Sequence, residues 1–497
     1  MVLSFFSRDK GDHPLADPKE AKQALAALAG ADSSTLCHEV TAWLESLAAA
    51  QEIRLERRAE LVLQLDETAA AAARLLAREY LTASRSRTVE FRLWQRGHDY
   101  WVSLAAAYES VLVRAADVRG NPLKAFLPLL FARLLQALGG VLKWSQFRYG
   151  PIDGVLWQRA GRAYLSAVAV RQAEEPVRLY DGTNTTSVAA EYLKLLLFHA
   201  ASMGNLLPLE IEMAERLLGH FLSRFTLTDQ PGADSVYWVD ATQPRPPGRL
   251  LQPPTAAAGL RYFTTGAAHA EIEILRDRVT GTGMVPAEIP LGGQYPVETV
   301  VRVLDHLAMC CAPHPPQRHA DRQRLKSLLA VIHGMDEIRL RLTGDEGTQD
   351  GETWIAEDVS RGGFGAQISL AGNDWIRVGA LIGLRLEGSE HWVVGLVRRF
   401  SRDNQSVGSV GVEIVGHAPR TADLDCSGLR SDAILLNADI VVGNETRVIL
   451  PAGSWEDFMP VILSWQKFRT RLSPRGIAFR AGDLIVGVYC VDEIETV

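Results

Sequence analysis

Apolar residues recur every three to four positions from residue 17 to about 225, a spacing that keeps one stripe of each helix apolar and predicts an array of helices. Between Glu52 and Thr82 the stripe is Leu61, Leu63, Leu65, Ala69, Ala72, Leu75 and Leu76, set among Arg and Glu. Further helices are predicted at about 88–116, 123–146, 153–171, 187–203 and 208–224. Asn121-Pro122, Tyr149-Gly150-Pro151, Gly182 to Asn184 and Asn205 to Pro208 punctuate them, as residues that end helices do. Short loops between such helices imply antiparallel neighbours, so a bundle or irregular solenoid is expected. Trp157-Gln-Arg-Ala160-Gly161-Arg-Ala-Tyr164 follows one tetratricopeptide pattern with Ala160 in place of Leu. No sustained 34-residue period accompanies it, and Trp and Tyr at this spacing read as packing residues.

The period changes near Asp229. Tyr237 to Asp240 and Leu260 to Thr264 are short β-like runs among prolines, and two amphipathic helices follow near 267–279 and 297–311. Beyond them, Leu325 to His333, Ile338 to Leu342, Trp354 to Glu357, Phe364 to Leu370, Leu381 to Leu386, Trp392 to Phe400 and Ser409 to Val415 read as strands with glycine turns. Many short antiparallel strands of this kind predict a small barrel. Ala433 to Val442, Thr446 to Leu450, Met459 to Trp465, Phe468 to Leu472 and Leu484 to Val491 predict a second β-rich unit. The expected fold class is therefore α+β multidomain. An N-terminal all-α helical bundle or solenoid-like region precedes an antiparallel β-barrel and a C-terminal β-rich domain. Expected boundaries are a flexible N-terminus over 1–16, a helical domain over 17–228, a mixed α/β connecting region over 229–312, the barrel over 313–418 and the last domain over 419–497.

Charge narrows the partners. A net charge of −7 over 497 residues leaves no general basic face for a nucleic-acid polymer. Between Pro313 and Gly344, however, Arg318, Arg322, Arg324, Lys326, Arg339 and Arg341 outnumber Asp321, Asp336 and Glu337, which suits a small anion. Five scattered cysteines indicate no disulfide framework, and the apolar start at Met1 to Phe6 is too short for a secretory signal. Ala125 to Val141 is the most apolar run, but Arg133 interrupts it, so a cytoplasmic chain with no membrane span is expected.

The candidate chemistry lies between Arg318 and Gly363. Arg318 and Arg322, four apart, can each present a planar fork of donors to a phosphate or to the O6/N7 edge of guanine. Asp358-Val-Ser360-Arg-Gly-Gly363 adds what arginine lacks: a carboxylate to accept from guanine N1–H and N2–H, a hydroxyl, and a glycine that lets backbone approach closely. Arg-x-x-x-Arg, then Asp-x-Ser-x-x-Gly, then Gly-punctuated strands ending in Trp392 to Arg399 and Gly411 to Ile414 resembles the PilZ domain, over roughly Pro313 to Gly416. The resemblance implies a PilZ-like β-barrel that binds the bacterial second messenger cyclic di-GMP. By it, Arg318 and Arg322 would clamp the ligand, and Asp358, Ser360 and Gly363 would form the fixed side of the site. Two departures stand out. The gap from Arg322 to Asp358 is long, with Gly344 to Gly351 reading as an inserted hairpin loop. Gln317 also stands where some members carry another base, so one or two ligand molecules are both open.

His306, Cys310, Cys311, His314 and His319 are of metal-ligand type, but they lack the paired spacing of a structural zinc site, so no metal is expected. No G-x-S-x-G, Walker loop, dinucleotide fingerprint or H-E-x-x-H occurs. Glu387 and Glu390 flank a Gly-Ser turn and read as solvated. The expected function is thus a non-enzymatic cyclic di-GMP effector without further cofactor, coupled to a helical region that meets a protein partner. The alternative is a helical scaffold whose barrel binds no nucleotide.

Overall fold

The computed structural model describes residues 13–82, 86–314, 323–345, 351–360, 362–373, 375–404, 406–426, 428–437, 439–455, 459–481 and 484–496. Two compact units result. The first spans residues 1–148, 152–203 and 208–316, and the second spans 149–151, 204–207 and 317–497.

The helical unit runs through α1 (Pro18–Ala27), α2 (Ser33–Ala49), α3 (Leu55–Thr82), α4 (Arg87–Asp117), α5 (Leu127–Gln146) and α6 (Gly154–Ala169). A small hairpin of β1 (Val177–Arg178) and β2 (Thr185–Thr186) leads into α7 (Val188–Ala200) and α8 (Pro208–His220). Starts follow local chemistry: Asp17 and Asp32 each accept two backbone N–H groups at the heads of α1 and α2, where the first turn has no intrahelical acceptors. The first strands of a sheet, β3 (Thr226–Thr228), β4 (Ser235–Asp240), β5 (Gly248–Arg249) and β6 (Leu260–Thr264), pair in the order β3-β6-β4-β5. Helices α9 (Gly266–Thr282) and α10 (Val297–Cys311) complete the unit.

Among the described residues, one helix is long and apolar enough to cross a membrane by length and composition, the stretch Lys124–Gln146 that contains α5. It packs instead as the centre of the helical unit, with Leu130, Leu134, Leu138, Leu142 and Trp144 buried. Close approach to α4 needs small residues on both sides: a Cβ on Gly97 would lie 2.2 Å from the Trp144 ring, and one on Gly140 would lie 2.2 Å from the Trp101 ring. Arg133, the charge that interrupts the apolar run, is 1% exposed and is neutralised by Asp66 of α3 at 2.6 Å. The tetratricopeptide-like motif lies on α6 as packing, with Trp157, Ala160 and Tyr164 buried and Tyr164 stacked on Tyr192 of α7 at 4.5 Å.

The second unit begins with β7 (Gln323–His333) and α11 (Met335–Thr343), followed by β8 (Glu352–Ser360), β9 (Gly363–Ser369), β10 (Leu381–Leu386), β11 (Val393–Arg402) and β12 (Val407–Gly416). These strands close a barrel in the order β7-β8-β9-β12-β11-β10. Strands β13 (Arg420–Cys426), β14 (Leu429–Leu435), β15 (Glu445–Pro451), β16 (Val461–Trp465), β17 (Phe468–Ala481) and β18 (Leu484–Thr496) close another in the order β13-β14-β15-β18-β17-β16. Numbered within each barrel, both orders read 1-2-3-6-5-4, so the C-terminal unit repeats the topology of the first barrel. The expected class, a helical region followed by an antiparallel barrel and a C-terminal β-rich domain, is the observed one, and that last domain is itself a closed barrel.

The strand expected over Ile338 to Leu342 is a helix, α11. Gly334 at φ 87° breaks the chain out of β7, Asp336 and Glu337 occupy the first turn, Glu337 pairs with Arg341 one turn on, and Gly344 at φ 91° caps the end. Met335, Ile338 and Leu342 then share one face, in a cluster with Ile434, Ile449 and Phe479 of the second barrel. Arg339 secures that seam by donating to the carbonyl of Ala433 at 2.7 Å while pairing with Asp432 at 2.9 Å. Residues 436–437 and 439–442, expected as the end of a strand, are a connection, and β13 was not expected at all.

Candidate functional site

Of the expected site residues, Arg318 and Arg322 lie outside the described residues. Asp358, Ser360 and Gly363 form the tight end of the β8–β9 hairpin, and β7, which follows the arginine segment directly, begins beside them. Gln323 is registered with Val359 and Arg324 with Asp358. A register shift between Ala356 and Asp358 turns the strand. Trp354 and Ala356 point into the barrel, Val359 packs against the same core, and Asp358 and Ser360 are left half-buried on the outer side.

The motif residues fix one another. Asp358 Oδ1 accepts from the Gly365 N–H at 3.0 Å, and the Ser360 hydroxyl donates to the Gly363 carbonyl at 3.1 Å. The Gly362 carbonyl accepts from the Ile414 N–H at 2.9 Å, which ties the turn to β12. Gly363 is required by close approach: a Cβ there would stand 2.0 Å from the Val412 carbonyl oxygen. Backbone cannot yield as a flexible side chain would, so Gly363→Ala is expected to lower the stability of the first barrel by ~1–3 kcal/mol, the usual range for overpacking. Thermal unfolding followed by tryptophan fluorescence would check it, and an unchanged midpoint would contradict this account of the glycine.

Outward of this hairpin lies a row that sequence reasoning missed. Asp358 is registered with Gly365, Gly365 with Gly411, and Gly411 with Arg399. Two glycines therefore separate a carboxylate from a guanidinium across four strands. Arg398, by contrast, is engaged by Glu413 at 2.6 Å and lies 4.1 Å from the centre of the Phe479 ring. No local pattern marks this row, because its members are drawn together only by strand register. The second barrel does not duplicate the turn: β14 and β15 are joined by the nine residues 436–444, where β8 and β9 are joined by the two residues 361–362.

The cluster near the end of α10 is occupied otherwise. His306 Nε2 lies 2.6 Å from the Ala201 carbonyl, and the Cys310 thiol lies 3.5 Å from the same oxygen. Burial holds the His306 imidazole below its usual range and pushes the Cys310 thiol up to about 11, so both are neutral groups packed on backbone. Among the described residues, no three His, Cys, Asp or Glu side chains gather where a metal could sit.

The comparison that bears on identity falls on the helical unit. Residues 19–232 match the family of the cyclic-di-GMP receptor FimW, N-terminal domain. Fewer than half of the 497 residues are covered, so the chain is similar to that receptor over its helices. No curated protein matches the chain. Among solved structures, the PlzA protein of Borreliella burgdorferi in complex with c-di-GMP is 8% identical, over 34% of this chain and 86% of that one, with a TM-score of 0.13. A likeness that slight carries nothing about this chain. The FimW match does carry weight, because it concerns residues that contribute nothing to the Arg-x-x-x-Arg and Asp-x-Ser-x-x-Gly motifs.

Proposed function

We propose that this chain is a non-enzymatic cyclic di-GMP receptor whose ligand binds on the first barrel at Arg318, Arg322, Asp358, Ser360 and Gly363. One conjunction carries the reading. An Asp-x-Ser-x-x-Gly turn is built beside the strand that the arginine pair leads into, in a chain whose helices match a cyclic-di-GMP receptor domain. The arginines supply charge-assisted bonds to phosphate. Asp358, oriented by the Gly365 amide, would accept from the N1–H and N2–H edge of a guanine. Gly363 lets the ligand lie against backbone.

Binding would bias how the segment before β7 is held, and through it whatever the helical unit contacts. Charge-assisted bonds of ~1.5–3 kcal/mol each suffice to shift such an equilibrium if they form in one state only. The chain would act in the cytoplasm of a bacterium, where this messenger is made.

Calorimetric titration of the purified chain with cyclic di-GMP, with GTP as control, tests the reading. Micromolar or tighter binding of the cyclic dinucleotide and none of GTP is expected. Folded protein that binds neither would leave a helical scaffold as the function.

A further inference from the structure

We propose that the helical unit docks an extended acidic peptide of a partner protein in a cleft along α6, with Arg162 taking the carboxylate. This goes beyond the receptor reading and stands without it, because every residue it uses belongs to the helical unit.

Trp157, Ala160 and Tyr164 turn one face of α6 into the core. Another face stays open. Gln158, Arg162, Leu165, Ser166 and Ala169 recur at helical spacing and line a cleft of about 390 Å³. Ala241 and Thr242, just beyond β4, form its other wall. Glycines seat that wall against the helix. A Cβ on Gly161 would stand 1.9 Å from the Ala241 carbonyl oxygen, and one on Gly154 would stand 2.6 Å from that of Pro244. The Ala241 N–H donates to the Gly259 carbonyl at 2.9 Å, and Asp240 Oδ1 accepts from the Thr242 N–H at 3.0 Å. The wall is thus ordered before any ligand arrives, which lowers the cost of binding.

Shape and charge choose the occupant. From Gln158 to Ala169 the helix rises about 16 Å, the length of about five extended residues. The neutral polar side chains Gln158, Ser166 and Thr242 are spread around the cleft instead of converging on one point, which suits the unpaired N–H and C=O groups of an extended backbone better than a compact anion. Among the described residues, Arg162 is the one charged side chain that lines the cleft. Its Nη2 donates to Glu109 Oε1 at 2.5 Å, while Arg159 Nε donates to Glu109 Oε2 at 2.9 Å. One carboxylate thus serves two guanidiniums, and Arg162, 63% exposed, keeps donors for a second carboxylate. Val155 and Val170, both half exposed, stand at the two ends of α6, so apolar residues flanking the acidic one complete the match.

Random heptapeptides displayed on phage are panned against the full chain, and a fluorescein-labelled synthetic peptide of the selected sequence is titrated by fluorescence anisotropy against wild type, Arg162→Glu and Ala169→Trp. Thermal unfolding serves as the fold control and is expected to be unchanged, since both positions are exposed. The selected sequences are expected to carry Asp or Glu between apolar residues. Arg162→Glu is expected to weaken the peptide about tenfold or more, the effect of losing one charge-assisted contact. Ala169→Trp, which fills the cleft and leaves the charge in place, is expected to weaken it as well. A peptide whose acid is changed to Gln is expected to bind wild type and Arg162→Glu alike. Sequences without an acid, no enrichment over uncoated support, or a peptide that both variants bind as wild type does would each overturn the proposal. Loss with Arg162→Glu alone would reduce the contact to a surface ion pair and overturn the cleft as its site.

Discussion

The double substitution Arg318→Ala/Arg322→Ala is expected to weaken cyclic di-GMP by a factor of roughly 10² to 10⁴, from ~1.5–3 kcal/mol for each charge-assisted contact removed. Both residues precede β7, which starts at Gln323, and the strands that close the barrel do not include them. The loss should therefore appear in affinity while the unfolding midpoint stays in place. Exposed phosphate contacts are screened by salt, with a Debye length near 8 Å at physiological ionic strength. Wild-type affinity should accordingly fall between low and high salt, and the residual affinity of the double variant should fall less. Calorimetry at two salt concentrations reads both effects. A double variant that binds like wild type would move the site away from the motif altogether. Retained binding with the salt dependence lost would mean that the arginines steer the ligand without holding it.

How far the sequence alone reaches differs between the halves. Helices α3 to α8 were legible because each carries its own apolar stripe and, from the end of α4 onward, Pro, Gly or Asn punctuation, and both signals are local. Helix α11 was misread because Ile338-Arg-Leu-Arg-Leu342 alternates like a strand. What decides it is the pair of glycines at positive φ and a seam of residues some hundred positions away, in the second barrel. Strand β13 escaped notice because its inward residues include the small Ala422 and Cys426, which leave only a weak alternation. The candidate site divides the same way. Asp358, Ser360 and Gly363 are close in sequence because a hairpin end is a local structure. Gly365, Gly411 and Arg399 share a row only through the pairing of β9, β12 and β11, and one slip in either register would separate them.

Arg133→Met is expected to destabilise the helical unit by ~3–5 kcal/mol, the scale of breaking a buried ion pair from one side. Asp66 is fully buried in α3 and accepts from Arg133 Nη1 at 2.6 Å, from the Tyr108 hydroxyl at 2.6 Å and from the Tyr180 hydroxyl at 2.8 Å. Arg133 also lies 3.8 Å from the centre of the Tyr180 ring and donates to the Leu179 carbonyl. Burial drives Tyr100, Tyr108 and Tyr180 well above the usual phenol range, so these tyrosines stay neutral donors and cannot replace the cation. Methionine approximates the volume of the arginine stem and leaves the Asp66 charge uncompensated in the interior. Asp66→Asn combined with Arg133→Met removes both charges; the amide oxygen still accepts from one tyrosine and the amide N–H donates to the hydroxyl of the other, so it should recover most of the loss. Denaturation of the full chain followed by helical circular dichroism separates the cases. A single-variant loss under about 1 kcal/mol, the scale of a surface pair, would mean that this network does not hold α3, α4 and α5 together. A double variant no better than the single one would place the cost in lost packing around the arginine instead of in the stranded carboxylate.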